Sequence, residues 1–377
     1  MREKKRLLIG TDSFLPRADG ISRFLSEILP SLAEEYEIFI ICPDYGELPD
    51  LPYEIIQLPT RSRRIGEYAL PIVRTETIAY HVAKADIVFT QAIGSIGKRV
   101  ILEAKRNNTP AVSYVHMREW ELFSTYLKTN RFLSACIERI TLRRMRGLYS
   151  KVSLILVPSK EDALLLQSHG IRTPTEIASL GVDPYRFKPE YNKVIAKQTI
   201  GIDHTKTTIG FIGRVSYEKD IPTLVRAFLW LKKNNPNVHL IIVGSGIEKL
   251  EKSLENISGV THIKSTPYIL PYLNAMDIFV MPSLTETSSL ATLEAMSCAI
   301  PVVTTRVGVM KTYVTDDLNG YTFERGDWMR LARHLRKLTE NVMLRKRLGE
   351  EARKTVLNGY VLDKSGVKIR VALRAVL

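Results

Sequence analysis

The sequence predicts an α/β protein made of two doubly wound parallel-sheet domains with a cleft between them. Three observations carry this expectation. Short apolar runs alternate with helical stretches along the whole chain. The runs are nearly continuous instead of alternating with polar residues, which is the pattern of strands buried on both faces. The length, 377 residues, is more than one such unit needs.

In the first half the runs are Leu7-Leu-Ile-Gly10, Glu37-Ile-Phe-Ile-Ile-Cys42, Ile87-Val-Phe-Thr90, Ala111-Val-Ser-Tyr-Val-His116 and Leu154-Ile-Leu-Val-Pro-Ser159. After the first run, Asp12-Ser-Phe-Leu-Pro-Arg-Ala-Asp-Gly20 leads into a helix expected from about Ile21 to Glu34. Gly20 therefore opens a helix at the carboxyl edge of the sheet, where open α/β sheets bind ligands. The second series begins after the proline-flanked segment Gly181 to Pro189, with strands expected at Thr208–Gly213, His239–Gly244, Ile278–Met281 and Pro301–Thr305. Leu156-Val-Pro-Ser159 is echoed by Val280-Met-Pro-Ser283, and no shorter repeat is evident, so the halves read as two similar Rossmann-like folds. The expected domains are 1–183 and 184–360, with a basic helix at about 361–377 packing back on the first.

Lys and Arg number 54 against 40 Asp and Glu, a net charge of +14, and the pI is near 9.6. That balance attracts polyanions, whether nucleic acid, an anionic membrane or an anionic substrate, and does not choose among them. Mean hydropathy is −0.05, and no apolar run approaches the roughly 20 residues that span a bilayer. Leu7 to Gly10 is too short for the apolar region of a signal peptide, so a cytoplasmic location is expected. Cys42, Cys136 and Cys298 stand apart in apolar surroundings and read as buried thiols. No two histidines have ligand spacing and no Asp-x-Asp pair is present, so no metal site is expected.

The stretch from Asp277 to Thr305 reads as strand, loop, helix, strand. Pro282 and Ser283 stop the strand, and Thr287, Ser288 or Ser289 can cap a helix carrying Leu290, Leu293, Ala295 and Met296. The helix N-terminus suits a phosphate, while Glu286 in the loop and Glu294 within the helix could accept hydroxyl hydrogens. Phosphate plus hydroxyls points to a nucleotide sugar. A capping or dipole role for one of the two glutamates stays open.

Four separated motifs resemble the GT-B glycosyltransferases of family 4. They are Asp12 to Pro16 with Gly20, Gly181-Val-Asp183 with Phe187-Lys-Pro189, Gly213-Arg214 with Glu218-Lys219, and Glu286 with Glu294 eight residues on. The resemblance spans nearly the whole chain and implies a retaining, metal-independent hexosyltransferase using a UDP- or GDP-linked sugar. It implies diphosphate contacts for Arg214 and Lys219, sugar hydroxyls for Glu286, ribose for Glu294, and a place beside the reacting sugar for His116. Gly20, Gly213, Gly244, Ser288, Ser289 and Leu290 complete the implied binding set. Thr287-Ser-Ser289 and Ala299 depart from the glycines usual in that family. From the residues alone, the alternative for Arg214 and Lys219 is a pair of solvated cations paired with Glu218 or Asp220. His116 could be a satisfied structural histidine, and Gly20 an ordinary helix-start residue.

Two basic stretches lie in the first half. Arg61-Ser-Arg-Arg64 is expected in a loop, and a helix carries Arg131, Arg139, Arg143, Arg144, Arg146 and Lys151 interleaved with Leu133, Ile137, Ile140, Met145 and Leu148. This is either a core helix with a solvated basic face or an anionic-membrane contact using Arg61, Arg63, Arg64, Arg139, Arg143, Arg144 and Arg146. Lipid glycosyltransferases of the family have a similar basic acceptor domain, so the resemblance implies a lipid acceptor, with Tyr114 to Tyr126 lining its entrance. A soluble or polysaccharide acceptor is the alternative, and a non-catalytic basic binding protein a further one. No nucleic-acid motif appears, and no nucleic-acid partner is expected.

Overall fold

In a computed structural model, residues 4–17, 19–65, 68–91, 93–116 and 131–377 are described, without the side chains of 62–65, 68 and 131–135. The chain divides into two compact units, 1–180 with 362–377, and 181–361.

In unit 1 the elements are β1 (Lys5–Gly10), α1 (Gly20–Ala33), β2 (Tyr36–Pro43), β3 (Glu54–Leu58), β4 (Thr60–Ile65), β5 (Tyr68–Pro71), α2 (Thr75–Ala83), β6 (Ile87–Thr90), α3 (Ser95–Asn107), β7 (Ala111–Tyr114), α4 (Arg131–Tyr149), β8 (Leu154–Val157), α5 (Lys160–Ser168) and β9 (Thr175–Ile177). Seven strands form one sheet in the order β3-β2-β1-β6-β7-β8-β9, parallel throughout. The order reverses between β1 and β6, which opens a crevice at the carboxyl ends of those strands.

Local chemistry explains the helix starts there. The Asp19 carboxylate accepts from the backbone N–H groups of Ile21 and Ser22, each at 3.0 Å, and starts α1. Phe24, Leu25, Ile28, Leu29 and Leu32 bury one face of that helix. Asp12 accepts from the N–H groups of Ile96 at 2.9 Å and Gly97 at 3.1 Å, holding the start of α3 beneath the β1 loop. Burial raises the Asp12 pKa, and those N–H groups oppose the rise.

Unit 2 holds α6 (Lys193–Thr199), β10 (Thr207–Ile212), α7 (Ile221–Asn234), β11 (Val238–Val243), α8 (Glu248–Lys252), β12 (Val260–Ile263), α9 (Leu270–Ala275), β13 (Ile278–Met281), α10 (Leu290–Ser297), β14 (Val302–Thr305), α11 (Met310–Tyr313), β15 (Gly320–Phe323), α12 (Trp328–Glu340) and α13 (Val342–Gly359). Its six-stranded sheet runs β12-β11-β10-β13-β14-β15, again parallel, with the reversal between β10 and β13. The chain then returns to unit 1 as α14 (Leu362–Ala375). Gly366 meets Ser31 of α1 so closely that a Cβ would stand 2.6 Å from its Oγ, and Arg374 donates to Glu35 at 2.6 Å.

Several expectations need correction. Arg61 to Arg64 are not in a loop: they lie in β4, which pairs antiparallel with β5 outside the main sheet. A two-stranded ribbon needs only backbone pairing, so this polar run carries no hydrophobic alternation to betray it. Strands β3, β9 and β12 were not anticipated because they are partly exposed edge strands without a continuous apolar run. β7 ends at Tyr114, so His116 stands two residues beyond the strand. Cys42 and Cys298 are buried, but Cys136 is only half-buried.

Candidate functional site

At the reversal point of unit 2, the loops after β10 and β13 meet. Gly213 follows β10 with φ +155, and Gly244 follows β11 with φ +142. A Cβ on Gly244 would lie 1.9 Å from the Gly213 carbonyl oxygen, and one on Gly246 would lie 2.2 Å from that of Val215. Both glycines of Gly244-Ser-Gly246 therefore serve close backbone approach. Arg214 follows and pairs with Glu218 at 2.8 Å, Glu218 being buried. Lys219 closes a short 3-10 turn, Tyr217–Lys219.

That turn docks on the second loop: the Leu284 N–H donates to the Glu218 carbonyl at 2.7 Å, and the Lys219 ammonium pairs with the Glu286 carboxylate. The two side chains are 14% and 15% exposed, so the pair is largely withdrawn from water. Ser289 caps α10, its hydroxyl accepting from the Thr292 N–H at 3.3 Å, and Leu290 is the first helical residue. Ser288 is half-buried beside it. Glu294 lies in the second turn of α10 with 0% exposure. Ala299 ends the helix region at φ +55, a left-handed conformation that suits glycine better than alanine.

Gly308 was missed by sequence reasoning. At φ +53 a Cβ would stand 1.9 Å from the Glu286 carbonyl oxygen, while the Val309 N–H donates to the Thr287 carbonyl at 2.8 Å. The loop after β14 thus clamps the backbone of the Glu286 loop. A lone glycine after a buried strand was the available signal.

In unit 1, Gly20 is the exposed first residue of α1, and a Cβ there would meet nothing within 4 Å. His116 is stacked on Tyr114 with centroids 4.4 Å apart and edge-on to Phe24 at 5.2 Å. Its Nε2 lies 2.8 Å from the Gln91 side-chain oxygen. Burial pushes the imidazole down to about 3, only partly opposed by the Asp19 carboxylate, so the ring is neutral at ordinary pH. Gln91, which no sequence motif marks, follows β6 and is fully buried.

Arg139, Arg143, Arg144 and Arg146 are exposed on α4, together with Ile140 at 54% exposure, while Met145 and Tyr149 enter the core. Arg61 is exposed on β4. The side chains of Arg63, Arg64, Arg131 and Leu133, and residues 117–126 of the expected acceptor entrance, lie outside the described residues. Among the described residues no group of three or more His, Cys, Asp and Glu side chains is placed to hold a metal ion. No described helix is long and apolar enough to cross a membrane.

Residues 18–186 match the Glycosyltransferase Family 4 model, and residues 192–355 match the Glycosyl transferases group 1 model. The chain belongs to the GT-B glycosyltransferases of family 4. This glycosyltransferase is 23% identical over 363 residues to the alpha-monoglucosyldiacylglycerol synthase of Acholeplasma laidlawii, covering 89% of this chain and 88% of the relative. It is 24% identical to the UDP-Gal:alpha-D-GlcNAc-diphosphoundecaprenol alpha-1,3-galactosyltransferase of Escherichia coli, covering 97% and 96%. The fold matches HepE of Anabaena, solved with UDP and glucose, at a TM-score of 0.81 and 17% identity over 98% of this chain and 99% of that one. The chain is thus a nucleotide-sugar glycosyltransferase with two Rossmann-like domains.

Proposed function

We propose that this glycosyltransferase is a retaining, metal-independent enzyme. It moves a hexose from a UDP- or GDP-linked donor to a hydroxyl of a membrane lipid at the cytoplasmic face. The observation that carries the donor assignment is the Lys219–Glu286 pair at the reversal point of unit 2. It sets a cation for phosphate and an acceptor for sugar hydroxyls beside the capped start of α10.

In this reading Arg214 and Lys219 bear the diphosphate charge, with the backbone at Ser288, Ser289 and Leu290 adding N–H donors. Glu286 binds sugar hydroxyls and Glu294 the ribose, while Gly213 and Gly244 keep the backbone close to the nucleotide. From unit 1, Gly20 admits the donor phosphates and His116 contacts the transferred sugar as a neutral ring. The acceptor oxygen bonds to the anomeric carbon on the face that the phosphate leaves. As the carbon–oxygen bond to phosphate breaks, the hydroxyl proton passes to the departing phosphate oxygen.

The lipid acceptor rests on two supports. One is the exposed basic face of α4 with Ile140 among its arginines, since each basic residue near an anionic surface adds about 1 kcal/mol. The other is likeness to the alpha-monoglucosyldiacylglycerol synthase of Acholeplasma laidlawii. A lipid-linked glycan is the second acceptor reading, favoured by the Escherichia coli relative.

The test measures melting with UDP and GDP, then transfer of labelled hexose to vesicles carrying either diacylglycerol or a lipid-linked glycan. A bound nucleotide at about 100 times its Kd stabilises by about 2.7 kcal/mol. Absence of stabilisation by either nucleotide, or full turnover in both Lys219→Ala and Glu286→Ala, overturns the donor site. Transfer to soluble sugars alone overturns the lipid acceptor.

A further inference from the structure

The proposed contact between His116 and the transferred sugar leaves open which ring nitrogen it uses and whether it donates or accepts. Gln91 bears on both. It follows β6, its N–H donates to the Gly10 carbonyl at 3.1 Å, and its side chain is fully buried. Its side-chain oxygen lies 2.8 Å from His116 Nε2. With the amide oxygen as the acceptor the hydrogen is on Nε2, and an amide turned over would put it on Nδ1. In the first arrangement a neutral imidazole carries only a lone pair on Nδ1. Stacking on Tyr114 and the edge contact to Phe24 hold the plane of the ring. Among the described residues the Gln91 amide nitrogen is buried without a partner.

We infer that Gln91 is a positioning residue: it holds the His116 hydrogen on Nε2, so the ring meets the transferred sugar through Nδ1 as an acceptor of a hydroxyl hydrogen. This rests on the reading that His116 faces that sugar. It favours donors whose hydroxyl at this point is free to donate, and disfavours a deoxy or O-methyl sugar there. The charged group facing the ring from α1 is Asp19, itself paired with Arg17 at 2.8 Å, while the β7 neighbour Tyr114 donates its hydroxyl to the Ala178 carbonyl.

The test is nitrogen NMR of the full chain labelled in histidine, with His116→Asn used to assign the resonance. The expected spectrum has Nε2 protonated and Nδ1 bare, without titration above pH 5. A spectrum with the hydrogen on Nδ1 overturns the proposal. In Gln91→Leu and Gln91→Met the resonances should shift toward a tautomer mixture, with kcat falling on the order of tenfold and the donor KM little changed. In Gln91→Glu the carboxylate should hold the ring protonated near neutrality, so kcat gains a limb that rises with pH. Unchanged tautomer and kcat in all three variants overturn the role of Gln91. Full turnover by His116→Ala instead overturns the sugar contact of His116 and leaves the tautomer measurement standing, so the two failures are distinguishable.

Discussion

Replacing Lys219 with methionine keeps the length of the side chain and removes its charge. The Glu286 carboxylate, 15% exposed, then loses its cation. Exposed ion pairs contribute about 0.2–1 kcal/mol, whereas breaking a buried one costs about 3–5 kcal/mol. At this burial the pair lies nearer the second case, and we expect Lys219→Met to cost about 2–3 kcal/mol. For a unit of this size that lowers the melting temperature by about 4–12 °C. Glu286→Gln alone leaves an unpaired ammonium and should cost a similar amount. The double variant leaves no buried charge, so a double-mutant cycle in urea should return a coupling of about 2 kcal/mol. Nucleotide stabilisation should weaken in each variant, which ties the stability measurement to the donor site. A coupling below about 0.5 kcal/mol would mean the two groups do not hold the loops together, and the reasoning fails.

Gly308→Ala places a Cβ against the Glu286 carbonyl at a left-handed φ, and should cost about 2–4 kcal/mol by melting and weaken nucleotide binding. Ala299→Gly relieves a left-handed alanine, and a gain of about 0.5–1 kcal/mol is expected, with activity retained; a loss of stability would contradict the assignment. The His116 ring has a folded pKa of about 3, below its unfolded value near 6.5, so the unfolded chain binds the extra proton between them and stability falls as pH drops through that window. Relative to His116→Asn, the wild type should lose about 2 kcal/mol more between pH 7.5 and 5. Transfer should survive treatment with EDTA, and a loss that added magnesium restores would contradict the metal-independent reading.

The two parallel sheets were legible because their central strands, such as Ile278–Met281 and Ile87–Thr90, are short continuous apolar runs buried on both faces. The half-exposed strand Val260–Ile263 and the ribbon containing Arg61 bury too little to leave that trace. At the site, a helix cap was legible among Thr287, Ser288 and Ser289, because capping depends on neighbours a few residues away, and Ser289 fills it. The pairing of Lys219 with Glu286 spans 67 residues and depends on two loops meeting at a strand-order reversal, which no local spacing encodes. Gln91 has no motif at all: a buried glutamine after a strand becomes informative only when the next strand brings His116 within 2.8 Å.

The return of α14 to unit 1 sets an order of assembly. Its Ile369, Ala372 and Leu373 are buried, and Arg370 reaches back 339 residues to the Ser31 carbonyl. During synthesis, α1 emerges early but its partner helix appears only after all of unit 2 has been made. Unit 1 therefore waits unfinished, with the α14-binding side of α1 open, while a complete second folding unit forms behind it. A chain interrupted before Leu362 would leave that side of α1 uncovered.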